Sequence, residues 1–254
     1  MHVLVCIKRV PATGAKIVLT EDEQSIETRN LGFTISPHEE CAVEEAVRLI
    51  EAHGGSSTVL TLGPAAAAQQ LRDSLAVGID RAVLLETDGN EWSAMATAEA
   101  IVAAVRAEEE ENGHLDILLF GNEAADTGDY QVGVRVAYAL DLPCVTGVKG
   151  IYIRDGAAVA RREAGGGWEE FEVTLPAVFT VKEGINLPRY PSLPGRMRAK
   201  KKPIHRVEPQ GNGGGLEKIR LRAPKEQAGQ VEILGEGAEA AAKAIGILKE
   251  LGVV

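Results

Sequence analysis

Aromatic residues make up only 4% of this 254-residue chain, so its core has to be assembled from Val, Leu, Ile and Ala. Cysteine is scarce too. Cys6, Cys41 and Cys144 are odd in number, far apart, and free of any CxxC or Cys/His spacing. That excludes a disulfide framework or a zinc site of the usual pattern and predicts reduced thiols in a cytosolic compartment. No apolar run reaches the roughly 18–20 residues that a membrane helix needs. The opening MHVLVCIKRV reads as a strand and has neither the charged start nor the long apolar region of a signal peptide. A soluble, cytoplasmic protein is therefore expected. Neither G-x-G-x-x-G nor G-x-x-x-x-G-K-S/T occurs, which removes the usual dinucleotide fingerprint and the P-loop.

Positive charge is in short supply everywhere except one stretch. The net charge is −10, which argues against general nucleic-acid binding, since phosphate contacts need a broad positive surface. Residues 182–206 carry eight Lys/Arg against Glu183 alone, a local +7 that leaves −17 for the rest. Pro188, Pro191, Pro194 and Pro203 each fix φ and remove a backbone donor, so the stretch is neither a long helix nor a central strand. With Tyr190, Leu193 and Met197 set among its charges, it reads as a displayed segment that docks onto other proteins.

Elsewhere strands and helices alternate. Strands are predicted at 2–10, 57–62, 81–86, 115–120 and 144–148, with a short hairpin excursion pairing 16–20 with 25–28. Helices are predicted from Pro37 to the Gly54-Gly55 stop, over 64–77, 92–111 and 127–140. In the first of them Ala42, Ala46, Leu49 and Ile50 share one face. This rhythm of short apolar strands and helices implies an α/β fold with a doubly wound, mainly parallel sheet covered on both faces. The pattern changes at 150–174, where Asp155-Gly156 joins alternating segments into an antiparallel hairpin leading to a strand at 177–181. Residues 211–215 read as a flexible break, and 238–251 as an Ala-rich helix ending an extended C-terminal arm. The chain divides into a body (1–181), a recognition loop with basic flank (182–206) and the arm (207–254).

In such a sheet, ligands bind beyond the carboxyl ends of the strands, near the point where strand order reverses. Four segments fall there: 6–10, 36–39, 62–64 and 121–133. The last, GNEAADTGDYQVG, is polar, rich in Gly, and opens a helix whose first N–H groups can receive a phosphate. Asp126 or Thr127 can cap that helix and Gln131 can reach a ligand; the same residues equally serve the helix alone, as an ordinary capped loop. The histidines (His2, His38, His53, His114, His205) meet no matching Ser, Cys or carboxylate set, and most are expected in solvent; His38 lies in a ligand loop. Residues 108–111 read as a solvated acidic face, and Cys6 as a small buried hydrophobe rather than a nucleophile. With no triad, no acid/base carboxylate pair and no metal spacing, the residues point to binding or electron transfer.

Several strings together resemble the β subunit of electron transfer flavoprotein. They are VLVCIKRVP, SPHEECAVEEAVRL, TLGP, DSLAVGIDRAVLL, GNEAADTGDYQVGVRVAYALDLPCVT and PAVFTVKEGINLPRYPSLPGRMRAKKKPI, in family order over nearly the whole chain. The resemblance implies a Rossmann-like fold of the adenine-nucleotide-binding type. It also implies a heterodimer with an α subunit that holds most of a redox-active FAD, taking electrons from dehydrogenases and passing them to a quinone reductase. In this subunit's own pocket it implies a structural AMP, or a second FAD in electron-bifurcating members reduced by NADH. Carried over by position, the nucleotide contacts fall on Cys6, Ser36, Pro37, His38, Glu39 and Leu62. They continue on Gly121, Asn122, Asp126, Thr127 and Gly128, and on Asp129, Tyr130, Gln131, Val132 and Gly133. The family's recognition loop falls on 190–197, with Leu193 as the anchoring leucine. Arg189, Tyr190, Pro194, Arg196 and Met197 stand around it, unless Leu193 packs on its own loop.

There are departures from the family pattern. Ser36 stands where many members have Asn, Thr127-Gly128 replaces part of an acidic cluster, and Asn186-Leu187 lacks the acidic residue common after that Asn. The triplet Gln131-Val132-Gly133 resembles the FAD-holding variants, which leaves AMP and FAD both open. A reading from another class is a stand-alone nucleotide-binding regulator like the universal stress proteins, which predicts a homodimer and leaves the basic segment without a purpose.

Overall fold

Alternation along the first strand explains the layering of the whole molecule. The computed structural model describes residues 1–12, 14, 16–210, 216, 218–224 and 232–253. Strand β1 (His2–Ile7) is buried throughout. Its odd residues Val3, Val5 and Ile7 pack with helices α1 (Pro37–His53) and α2 (Ala68–Val77). Leu4 and Cys6 point the other way, toward α3 (Ala94–Asn112) and α4 (Val132–Ala139). A period of two on a strand with both faces covered produces two cores from one run of apolar residues.

Two residue pairs, β2 (Val10–Pro11) and β3 (Phe33–Thr34), form a small antiparallel ladder after β1. Strands β4 (Ser56–Gly63) and β5 (Arg81–Glu86) extend the main sheet on one side of β1, and β6 (Ile117–Gly121) lies on the other. The chain continues through β7 (Cys144–Arg154), β8 (Ala157–Ala164), β9 (Gly167–Thr174) and β10 (Ala177–Val181). Helix α5 (Leu193–Lys201), strand β11 (His205–Val207) and helix α6 (Glu239–Glu250) follow. Among the described residues the sheet has the order β11-β5-β4-β1-β6-β10-β7-β8-β9. It is parallel from β11 to β7, and only the β7-β8-β9 hairpins are antiparallel. The chain moves outward from β1 to β5, then returns to the far side of β1 as β6. Strand order therefore reverses between β1 and β6, and a crevice forms beyond their carboxyl ends.

The doubly wound parallel sheet with an antiparallel excursion is as expected, and Asp155 (φ 49°) and Gly156 (φ 81°) make the β7–β8 turn with the two positive φ values that a type I′ hairpin needs. The excursion predicted at 16–20 and 25–28 is present as a short antiparallel pairing, with one bridge, Leu19 with Ile26, and hydrogen bonds from the Thr20 N–H to Ser25 O and the Glu27 N–H to Val18 O. Several expectations are corrected. Helix α4 begins at Val132 rather than Thr127, after Gln131, and no side chain caps it, so neither Asp126 nor Thr127 is its cap. The predicted recognition loop is helical in its second half. Ser192 caps α5 by accepting from the Gly195 N–H at 3.1 Å, and Pro194 sits in its first turn, where a missing N–H costs nothing. The other prolines bracket α5 rather than preventing it. Strand β11, an edge strand beside β5, was not anticipated, and it places the end of the predicted basic flank and Val207, the first residue of the predicted arm, in the sheet. The break predicted at 211–215 lies outside the described residues. Helix α6 has no buried residue and exposes Ile245, Ile247 and Leu248.

Candidate functional site at the strand-order reversal

A cleft of about 1040 Å³ opens at the reversal point, at the top of the roughly 300–1,000 Å³ range of small-molecule and cofactor sites. Its floor is made by strand ends. Cys6 comes from β1, Leu62 from β4 and Gly121 from β6. Glu39 closes it from the first turn of α1, and Asp126, Thr127, Asp129 and Tyr130 come from the loop after β6. Val132 and Gly133 of α4 complete the wall. Ten of the sixteen residues expected to touch a nucleotide are thus brought together.

The other six stand outside the lining and hold it in place. Ser36, 1% exposed, accepts the Glu39 N–H at 3.2 Å, while the Glu39 carboxylate accepts the Ser36 N–H at 3.0 Å. This reciprocal capping box starts α1, with Pro37 in its first turn. His38 Nδ1 accepts the Glu183 N–H at 2.8 Å, tying the site to the segment after β10. Asn122 Oδ1 accepts from the Thr180 hydroxyl at 2.9 Å. Gln131 Oε1 accepts from Arg135 of its own helix at 2.8 Å, so the side chain does not reach into the cleft. Gly128 forms its turn with φ 63°.

Glu39 is the most constrained group of the site. Its carboxylate also accepts the Lys8 N–H at 2.9 Å. A Cβ on Gly121 would lie 2.7 Å from its Cγ, so only glycine fits there. Burial pushes its pKa up to about 8, against the backbone donors of Ser36 and Lys8 and the Lys8 charge, which pull it down. The Cys6 thiol is pushed far up, first by burial and then by Glu39, which makes it a buried hydrophobe, as read from the sequence.

Several lining residues were not singled out from the sequence, although Lys8, Arg9 and Glu123 fall within the strand-end segments 6–10 and 121–133 expected there. Lys8 and Arg9 lie one and two residues beyond the end of β1. Lys8 pairs with Asp126 at 2.7 Å, and the Arg9 guanidinium lies 3.3 Å from the centre of the Phe33 ring. Trp92, Glu123 and Thr180 line the cleft as well, and Tyr130 donates its hydroxyl proton to Glu123. The signal for Lys8, Arg9 and Thr180 was their place at strand ends. Nothing local announced Leu216, Lys218 and Leu221, which the arm brings back to the mouth through Lys218–Glu91 (2.7 Å) and the Leu221 N–H to Glu23 O (2.8 Å).

The predicted docking residues form a separate surface. Tyr190 is 94% exposed, Leu193 75% and Met197 54%, with Pro194, Arg196 and Arg198 also exposed. Leu193 therefore does not pack on its own segment. Arg189 is not part of a loose ring of charge around it. It holds Glu44 at 2.9 Å and Glu51 at 2.6 Å on α1, and those carboxylates raise its pKa, Glu51 first. Asn186 donates to Cys41 O and to Glu45, and α5 packs on α2 through Gly195, where a Cβ would lie 2.3 Å from Ala76 O. The displayed apolar residues thus stand on a rigid base.

Two other expectations fail on burial. His2 is 6% exposed and Glu108 8%, although both were expected in solvent. They form a network at the amino ends of the strands, where Arg81 donates to Glu108 at 2.8 Å and Thr58 does so at 2.8 Å.

These features define an α/β protein with a cleft at its topological switch point and a separate, displayed basic helix that carries exposed Leu193 and Met197. The electron transfer flavoprotein domain matches over residues 25–211. The Bacillus subtilis (strain 168) electron transfer flavoprotein subunit beta is 36% identical over 259 aligned positions, covering 98% of each chain. The Syntrophomonas wolfei protein of the same name is 38% identical, over 80% of this chain and 78% of that one. A mitochondrial counterpart from Oryza sativa subsp. indica is 35% identical over 83% of each. The chain belongs to the electron transfer flavoprotein family and is of its β-subunit type, a family of electron transfer. No helix among the described residues is long and apolar enough to cross a membrane.

Proposed function

We propose that this chain is one subunit of a two-subunit electron carrier, paired with an α subunit that holds most of a redox-active FAD. It takes electrons from dehydrogenases in the cytoplasm and delivers them to a quinone reductase or similar acceptor. Its own cleft holds an adenine nucleotide, either AMP as a structural ligand or the adenine half of a second FAD. The observation that carries this is the cleft at the reversal point. There ten expected contacts converge, with Gly121 and Gly133 letting Glu39, Thr180 and Phe120 pack closely into the wall. A flavin supplies the redox chemistry when bound. This chain's residues exclude water, orient the ligand and present the docking surface, and the exposed apolar face of α6 packs on the α subunit.

Co-expression with the α subunit, denaturation of the purified complex and chromatography of the released nucleotides test the reading. One FAD and one AMP per heterodimer mark simple transfer; two FAD mark bifurcation with NADH as reductant. Release of α-bound FAD alone overturns the adenine-nucleotide site. A separate prediction concerns α5. An exposed leucine on a rigid base suits a partner's apolar pocket, while Arg196 and Arg198 speed encounter. Leu193→Ala is expected to slow electron transfer from a partner dehydrogenase about tenfold in stopped-flow, with flavin content and assembly unchanged. Unaltered transfer kinetics would remove Leu193 from docking.

A further inference from the structure

Helix α5 carries the displayed Leu193 and Met197 but has little of its own to hold it. It is nine residues long and buries only Gly195 and Ala199, whereas helices shorter than about 12–15 residues are marginal in water without tertiary support. Gly195 and Ala199 are four apart and so share one face. That face lies on α2, where a Cβ on Gly195 would meet Ala76 O at 2.3 Å. Leu193 and Met197 each precede one of them by two residues, about 200° round the helix. They therefore project together from the opposite side, 75% and 54% exposed. A glycine and an alanine supply little apolar burial, so polar contacts have to hold this helix on the body.

Those contacts come from α2. Arg72, half-buried, donates through Nη1 to Ala199 O at 2.6 Å and to Lys202 O. Both carbonyls lie at the C-terminal end of α5, where acceptors run short of N–H partners within the helix. Lys202 returns the exchange, its Nζ donating to Ile79 O at 2.7 Å just beyond the end of α2. Arg72 joins no ion pair among the described residues, and its charge is directed at the end of α5 where the helix dipole favours a cation. Charge-assisted hydrogen bonds of this kind are about twice as strong as neutral ones. We infer that Arg72 is a positioning residue for docking: it keeps α5 helical to its end and so presents Leu193 and Met197 to a partner as one apolar pair. This rests on the docking reading of Leu193. Without Arg72 the last turn of α5 loosens, Ala199 loses its seat on α2, and Met197 leaves the side of Leu193.

The test follows reduction of the αβ complex by the dehydrogenase that reduces the wild type fastest, with dithionite as a donor that needs no docking. In Arg72→Gln the KM for the complex is expected to rise about fivefold at unchanged kcat, because apparent affinity falls with the fraction of molecules that hold α5 in shape. Dithionite reduction, flavin content and assembly stay as in the wild type. Hydrogen exchange at the 197–201 amides is expected to quicken about tenfold, the scale of one hydrogen bond from a charged group. Arg72→Lys, which keeps the charge without the fork, lies between, and it is carried through the same comparisons if Arg72→Gln does not assemble. In a Leu193→Ala/Met197→Ala background the Arg72 substitution is expected to change KM by less than about twofold, since nothing remains to present. Unchanged KM or unchanged exchange in the Arg72 variant overturns the inference. A full fivefold rise in the double-alanine background also overturns it, because that marks a structural role that does not act through the pair. If the double-alanine complex is reduced as fast as wild type, or no dehydrogenase reduces the wild type, the docking reading itself falls.

Discussion

Glu108→Ala is expected to lower folding stability by on the order of 3 kcal/mol, the scale of breaking a buried ion pair by removing one partner. The Glu108 side chain is 8% exposed and receives Arg81 and Thr58 at 2.8 Å each, with His2 alongside. Removing the carboxylate leaves a partly buried guanidinium and a buried hydroxyl without their acceptor, while Glu108→Gln keeps an acceptor and costs less. Burial alone would raise this acid, but His2, Thr58 and Arg81 outweigh it and hold it down at about 2. The native state thus binds a proton less readily than the unfolded chain, whose glutamate titrates near 4.5. The stabilisation is complete above that value and is lost as the pH falls from there toward 2. Urea unfolding of wild type and Glu108→Gln at pH 7, 5 and 3 checks this: the gap between them should shrink toward pH 3. A gap that stays constant would show that the charge carries none of it.

Glu39→Gln has the opposite sign. Burial raises Glu39 from 4.5 to about 8, so the folded state holds its proton more tightly than the unfolded one. That contribution is fully present below about 4.5 and is lost as pH rises through about 8. Above pH 8 the wild type must keep a charge in a site that is 6% exposed, whereas glutamine fills the same space and completes the same capping box. Each tenfold change in acidity is worth about 1.4 kcal/mol, and the Lys8 N–H gives up one acceptor oxygen in the variant. The variant is therefore expected to be more stable than wild type at pH 9, by on the order of 3 kcal/mol. The difference should vanish or reverse near pH 4. Thermal unfolding across that range measures it, and parallel profiles for the two proteins would contradict the assignment. The same residue closes the cleft, so ligand affinity should also become less dependent on pH in the variant.

The four strand ends that meet at the cleft were legible because continuous apolar runs fix where parallel strands lie, and the switch-point rule then assigns their ends. Helix α5 was not legible as a helix, because four prolines in a short stretch mask a nine-residue element that three of them merely flank. Glu108 and His2 looked solvated because burial of a charge depends on a counter-charge distant in sequence; Arg81 is 27 residues from one and 79 from the other. Arg189 had the same ambiguity, and Glu44 and Glu51, 145 and 138 residues away, resolved it.

By itself, the sequence determined the family, the doubly wound sheet, the turn at Asp155-Gly156 and the position of the displayed Leu193. These rest on local periodicity, backbone preference and residues in fixed order, and none needs a distant neighbour. Only the tertiary structure decided which charges are spent on one another. It committed Lys8 to Asp126, Lys218 to Glu91 and Arg189 to α1, and left Arg9 stacked on Phe33 in the cleft lining with no ion pair among the described residues. Ion pairing and desolvation depend on which groups the fold brings within a few ångströms, and spacing along the chain does not carry that information.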